Sequence, residues 1–189
     1  MAPSTDQPTR IVEAAMAVLH ATAGGQLGIT VMNKALFYAD LCGLRDTGQT
    51  ITRSGYVALP QGPVLNHYER SLVRALEQLG LAEQTTDGWE KPLVLRCALK
   101  GYETLSDEEV GIAQLVARKI QHKSAGWVSD YSHENEGWIR AFRQGTGSSI
   151  DMIIALQQVI ENDPWLDDAD DQEVLKVMKT AATDPGVPF

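Results

Sequence analysis

Residues 32–40, MNKALFYAD, are apolar on nearly every side when wound as a helix. A helix at the surface of a globular domain shows a single apolar stripe. One that is apolar almost all round has to be enclosed, and only other elements can enclose it. The stretch therefore predicts a bundle with this helix inside, capped by Thr30 and running to about Leu44. Lys34 lies within it. Such a lysine either runs its stem along apolar neighbours and keeps its ammonium in water, or is buried as a polar anchor against a carboxylate.

The enclosing elements are legible as well. After Pro8, which suits a first helical turn, Ile11, Val12, Ala15, Val18 and Leu19 recur at helical spacing until Gly24-Gly25. Thr50, Ile51, Thr52, Tyr56 and Val57 favour extended chain ending at Pro60. QGPV (61–64) reads as a turn and a helix start. It leads into a stripe of Leu65, Tyr68, Leu72, Ala75, Leu76 and Leu79 that Gly80 ends. Residues 81–99 read as a hairpin about Thr86-Asp87-Gly88, with PLVLRCAL as the returning strand. Ser106 to Glu109 has capping-box spacing before a helix with Val110, Ala113, Val116, Ala117 and Ile120 on one face.

Further helices are expected over 124–134 and from Glu136 to Arg143, closed by Gly145. Ser148 or Ser149 is expected to cap the next, with Ile150, Ile153, Ile154 and Ile160 on its apolar face and Pro164 as its end. A last amphipathic helix carries Val174, Leu175, Met178 and Ala182, behind an acidic start at Asp167, Asp168, Asp170 and Asp171. Residues 1–7 and 184–189 read as loose ends. The fold class is mainly α (α+β): a helical bundle of about six to eight helices with a small β-hairpin or short antiparallel sheet.

The formal charge of the 189-residue chain is −9, which repels phosphate backbones and suits docking onto a basic protein partner. Nucleic acid is therefore not the expected partner. The two cysteines, Cys42 and Cys97, sit among apolar residues and read as reduced core thiols. No Cys/His spacing suggests zinc, so neither a metal nor a cofactor is expected. The N-terminus lacks an apolar signal core and no run reaches membrane-spanning length, so a cytoplasmic protein is expected. Nucleophile-elbow, P-loop and metalloprotease motifs are absent, and the chain is not expected to be an enzyme.

Two clusters of unusual residues stand out. Tyr56, Pro60, Gly62, Pro63, His67 and Tyr68 fix how an extended segment enters a helix. They are either a rigid turn or a preformed docking edge for a partner. His133 and Trp138, near Trp127 and Tyr131, form either an aromatic minor core or a half-exposed aromatic surface. Lys34 and Tyr38 on the enclosed helix are polar anchors beside these clusters.

Three ordered segments carry a resemblance. MNKALFYADLCGL (32–44) is similar to a lysine-bearing "KLLYF-A" helix through Lys34, Leu36, Phe37 and Tyr38, and departs from it at Asn33 and Ala35. SGYVALPQGPV (54–64) is similar to a "Y-A-x-x-x-GPV" segment through Tyr56, Ala58, Gly62, Pro63 and Val64. The third is SH-x4-W: Ser132, His133 and Trp138, preceded by LSDEE (105–109). In this order they resemble the Panacea domain of SocA-like antitoxins. The resemblance spans about 30 to 140 and implies a helical domain with a small β element, expected over residues 1–145; residues 146–189 lie beyond it and are expected to form a helical extension packing on that domain. It also implies an antitoxin role: binding a cognate protein toxin, either masking it or delivering it as an adaptor to an ATP-dependent protease of the ClpXP type. Two other readings stay open. Three helices before the 81–99 hairpin, with Arg70 and Arg74, allow a winged-helix DNA-binding regulator, and a phage-associated scaffold module is the third. The oligomeric state is open.

Overall fold

The computed structural model describes residues 8–86, 91–161 and 165. Among them are α1 (Arg10–Ala21), α2 (Ile29–Thr47), α3 (Arg74–Gln78), α4 (Asp107–Ile120), α5 (Ala125–His133), α6 (Glu136–Gln144) and α7 (Met152–Glu161). A π turn over Glu69–Val73 leads directly into α3. The strands are β1 (Gln26–Leu27), β2 (Tyr56–Leu59), β3 (Gly62–Leu65), β4 (Ala82–Gln84) and β5 (Leu93–Leu95). They form an antiparallel sheet in the order β1-β5-β4 and a separate hairpin β2-β3. This is the mainly helical architecture with a small antiparallel β component that the periodicities predict.

The α2 helix is the centre of the molecule, packed against α1, α4, α5, α7 and β3. Every residue from Val31 to Gly43 is buried, which is why its sequence shows no polar stripe. At its far end Gly43 lies so close to the 49–51 loop that a Cβ there would come within 2.8 Å of Ile51 Cγ1. Gly48 then closes the helix in the left-handed conformation, φ 77°.

Several local signals resolve as the sequence suggests. Ser106 and Glu109 make both bonds of the capping box on α4. Gly80 and Leu81 return their N–H groups to Glu77 and Leu76, the paired bonds of a Schellman closure. Ser124 and Asn135 cap α5 and α6.

Other expectations are corrected. Thr9, not Pro8, stands at the start of α1, as its N-cap. The cap of α2 is Gly28, and Thr30 is inside the first turn. QGPV does not begin a helix, because Gly62, Pro63, Val64 and Leu65 are strand β3, joined to β2 through Pro60-Gln61. Pro63 is tolerated there for a geometric reason. It faces Ala58, whose N–H and C=O turn away to Ser148 and Gly147, so the pair exchanges no ladder bond and needs no N–H from proline. Ser148 and Ser149 flank β2, Ser149 bridging to Val57, and Asp151 supplies the cap of α7.

The buried face of α7 is Ala155 and Val159, while Ile153 and Ile160 are exposed. A Cβ on Gly137 of α6 would lie 2.7 Å from that of Ala155, so the two helices meet on their smallest residues and the isoleucines are turned outward. Cys42 is buried as expected, but Cys97 is exposed, because β5 ends two residues before it. The Asp87-Gly88 turn, Pro164, the acidic start, the last amphipathic helix and both loose ends lie outside the described residues.

Candidate functional site

Hairpin β2-β3 is held on three sides. Along one edge of β2, the N–H of Ile150 donates to the Tyr56 carbonyl at 2.8 Å, and that of Ala58 donates to Ser148 O at 2.9 Å. At the edge of β3, the N–H of Leu65 donates to Asn33 Oδ1 at 3.1 Å. Asn33 also donates through Nδ2 to Ile29 O, so this departure from the family pattern pins the hairpin to α2. At the tip, Trp138 Nε1 donates to Leu59 O at 3.1 Å.

The inner face carries Tyr56 and Ala58, both buried. Tyr56 is therefore not presented at the surface. Its ring meets Phe37 edge-on at 5.2 Å, and its hydroxyl donates to Asp40 Oδ2 at 2.8 Å. Asp40 also accepts from the Thr52 N–H and hydroxyl. Burial pushes the Asp40 carboxyl up to about 6, with the Thr52 and Tyr56 bonds pulling the other way. Burial and the adjacent Asp40 raise the Tyr56 phenol well above its ordinary value.

The Asp40 shift has a consequence for stability. The folded state holds this proton to about pH 6 while the unfolded chain releases it near 3.8, so the contribution is present below 3.8 and lost as pH rises through 6. Asp40→Asn is expected to keep the niche filled, since the two hydroxyls can turn to accept from the amide. The difference between the two proteins' stability profiles should then vary by on the order of 2–3 kcal/mol between pH 4 and 6, and urea titrations across that range would measure it. Parallel profiles would refute the assignment.

The three segments that carry the family resemblance meet at Gly62. This residue has φ 101°, and a Cβ on it would lie 2.9 Å from Lys34 Cε, 3.2 Å from Lys34 Nζ and on top of Ser132 Oγ. Lys34 is fully buried, and its Nζ has no hydrogen-bond partner among the described residues. It neither reaches water nor pairs with a carboxylate there, contrary to both sequence expectations. Burial lowers its pKa to about 7. Tyr38, the second expected anchor, donates to Gln158 Oε1 at 3.3 Å and packs against Tyr131 and Trp165.

The second expected cluster joins the first at the hairpin tip. His133 stacks on Trp138 at 4.2 Å, and Trp138 stacks on Phe142 at 4.7 Å. Trp138 is buried and His133 half-buried, with no hydrogen-bond partner for His133 Nε2 among the described residues.

The outer face of the hairpin is different in character. Val57 and Leu59 are half-buried, Pro60 and His67 are exposed, and Tyr68 is half-buried beside Val64. All of these but Pro60 border a shallow groove of about 730 Å³ that reaches Ile11 on α1. His67 has a left-handed backbone, φ 55°, and its carbonyl accepts from Arg70 and Ser71, which starts the helix after the strand. A smaller pocket of about 280 Å³ lies between the hairpin tip and the start of α2. Leu59, Val64 and Tyr68 border both cavities. Pro63 and Gly62 are buried and shape this surface from beneath.

Sequence reasoning missed three buried polar residues that set this frame. Besides Asp40, Glu13 accepts from the backbone of Glu103, Thr104 and Leu105, and Asn135 donates to Ala155 O and Gln158. The usable signal was a charged residue inside an apolar run, as in VEAAMAV and FYADLC. Among the described residues no group of three His, Cys, Asp or Glu could hold a metal ion, and no helix is long and apolar enough to cross a membrane. Arg70 and Arg74 are exposed before β4, but so are Glu69 and Glu77, which leaves that face mixed in charge.

A family model described as "Antitoxin SocA-like, Panacea domain" matches residues 32–139, more than half the chain. The matched range runs from α2 to α6 and takes in all three segments that meet at Gly62. No curated protein and no solved structure matches the chain.

Proposed function

This chain belongs to the SocA-like antitoxin family and carries its Panacea domain, and on that premise we propose that it neutralises a cognate protein toxin seated on the outer face of hairpin β2-β3. The observation that supports this reading most is the contrast between the two faces of the hairpin. Its inner face is buried, and bonds from its edges and tip reach α2, α6 and residues 147–150, so its shape is set before any partner arrives. Its outer face offers Val57, Leu59, Val64 and Tyr68 in a groove with His67 at its rim, and Pro60 is exposed at the hairpin tip beside it. A rigid apolar patch with aromatic and imidazole groups at its rim binds with little ordering cost. The charge of −9 favours a basic partner. Within the expected set, Tyr56, Gly62, Pro63 and Trp138 then hold the surface in shape, and Pro60, His67 and Tyr68 touch the toxin.

Residues 1–145 make the antitoxin domain and 146–189 an extension, whose first residues brace β2. After capture, the toxin is either masked or handed to a ClpXP-type protease. The toxin's half-life with and without this chain separates the two routes.

The test is growth rescue by co-expression with the toxic product of the neighbouring gene, together with a binding assay. His67→Ala with Tyr68→Ala is expected to weaken toxin binding by about tenfold or more, the scale of a small hot spot. The thermal midpoint should move by only a few degrees. Full rescue and undiminished affinity in a folded double variant would sink the hairpin surface as the toxin's seat.

A further inference from the structure

The Lys34 ammonium is buried, has no hydrogen-bond partner among the described residues, and belongs to a side chain that lines a pocket. Leaving an ammonium in that condition is costly, and proteins usually resolve it with a carboxylate. Asp40, the buried carboxylate of the same helix, is engaged by Thr52 and Tyr56 instead. The pocket of about 280 Å³ opens over the first turn of α2, where Ile29 and Thr30 line it. That turn has no side-chain cap, and the first helical bond is Met32 N–H to Gly28 O. The N–H groups of Ile29 and Thr30 therefore have no acceptor within the helix, and the positive end of the helix dipole faces the same space.

Two independent features thus favour negative charge in one pocket: an unpartnered buried cation and the start of a nineteen-residue helix. The remaining lining is mostly apolar, from Ile29, Leu59, Pro60 and Val64, with Gln61 exposed at the mouth. We propose that this pocket is a carboxylate-binding site, in which Lys34 and the first N–H groups of α2 hold a carboxylate borne on a short apolar stem. The stem lies against Leu59 and Val64, which distinguishes the site from one built for a bare oxyanion. The lowered Lys34 pKa of about 7 belongs to the pocket without its ligand, and a bound carboxylate would raise it. Two sources fit this chemistry: a free short-chain carboxylic acid, and the glutamate side chain of a protein seated on the hairpin. The second rests on the docking reading above.

Sodium butyrate is the probe, titrated into the full chain at pH 6 and followed by amide chemical shifts, with sodium chloride at matched ionic strength as control. Saturable shifts are expected at Ile29, Thr30 and Gln61. Lys34→Met should weaken butyrate binding roughly tenfold to a hundredfold, as the loss of a charge-assisted bond does. An apolar side chain of similar length suits the buried position, so this variant is expected to fold. Should it fail to fold, Gln61→Trp at the exposed tip closes the pocket mouth and carries the same expectation. Shifts no larger than with chloride, or equal affinity in the substituted proteins, overturn the site. Tighter binding of inorganic phosphate than of butyrate overturns the carboxylate assignment.

Toxin affinity then identifies the source. With butyrate binding established, a weaker toxin complex in Lys34→Met supports the partner's glutamate, and an unchanged one supports the free acid. His67 does not line this pocket. His67→Ala should leave the butyrate titration unaltered, so the carboxylate site and the docking surface fail separately.

Discussion

Tyr56→Ala is expected to lower the free energy of unfolding by about 3–5 kcal/mol, the cost of truncating a large buried aromatic side chain. The ring is 1% exposed and packs edge-on against Phe37 in the most enclosed part of the core. Its removal leaves a void that Ala58 and Leu65 on the hairpin are too firmly held to fill. It also removes one of the donors to Asp40, a carboxylate with no water to replace it. Tyr56→Phe separates the two effects. It keeps the ring, loses the hydroxyl, and should cost about 1.5–3 kcal/mol, the range for a hydrogen bond to a charged group. Urea denaturation of the three proteins measures both differences. An unchanged midpoint in Tyr56→Ala would contradict the burial of this residue. The result also governs how functional assays are read, because loss of neutralisation in Tyr56→Ala would report a damaged fold. His67 and Tyr68, which reach the surface, are the informative positions for docking.

Gly62→Ala is the second large effect, at about 2–4 kcal/mol of destabilisation. Part arises from the backbone, since φ of 101° is a conformation that side chains rarely adopt. The rest is collision. The new methyl would meet Lys34 Cε and land on Ser132 Oγ, and the serine cannot give way. Ser132 is buried, with its hydroxyl donating to Ser129 O at 2.7 Å, and Lys34 is fully buried with only the neighbouring pocket to move into. The hairpin has to lift from α2 and α5 instead. Amide exchange at Leu65, whose N–H bonds to Asn33, should accelerate in step with the fall in the thermal midpoint. A neutral Gly62→Ala with unchanged exchange at Leu65 would mean that the three segments do not meet as closely as described.

The helices were readable because their signals are local. The capping box of α4, the glycine closure of α3 and the fully apolar α2 each need only a dozen neighbouring residues to interpret. Hairpin β2-β3 was misread for the opposite reason. Pro63 looks like the start of a helix to any local rule, and it is accommodated in a strand only because Ala58 bonds to residues almost ninety positions further on. No pattern around 60–65 contains that information. The isoleucines of α7 mislead in the same way, since which face turns inward is decided by a glycine on α6. For the candidate site, composition and spacing singled out Lys34, Gly62, His67 and Tyr68, while the division of labour among them came only from burial. Tyr56 and Tyr68 are equally conspicuous in sequence, yet one is core and the other borders a groove.

The opposite charges buried on α2 have a further consequence. Lys34 and Asp40 are six residues apart, so they leave the helix in different directions, one toward Gly62 and the other toward Thr52. Asp40 meets the donors of Thr52 and Tyr56, and Lys34 ends beside Gly62 next to the pocket. A slide of α2 by a single residue would rotate both groups by roughly 100° and press them against hydrocarbon, at a cost no repacking of Leu and Phe could offset. A rod that is greasy all round has no preferred screw position of its own, and many rotations would bury it about equally well. The lysine and the aspartate act as two keys cut about 120° apart on the same shaft, so that only one rotation seats both and brings Asn33 under the hairpin.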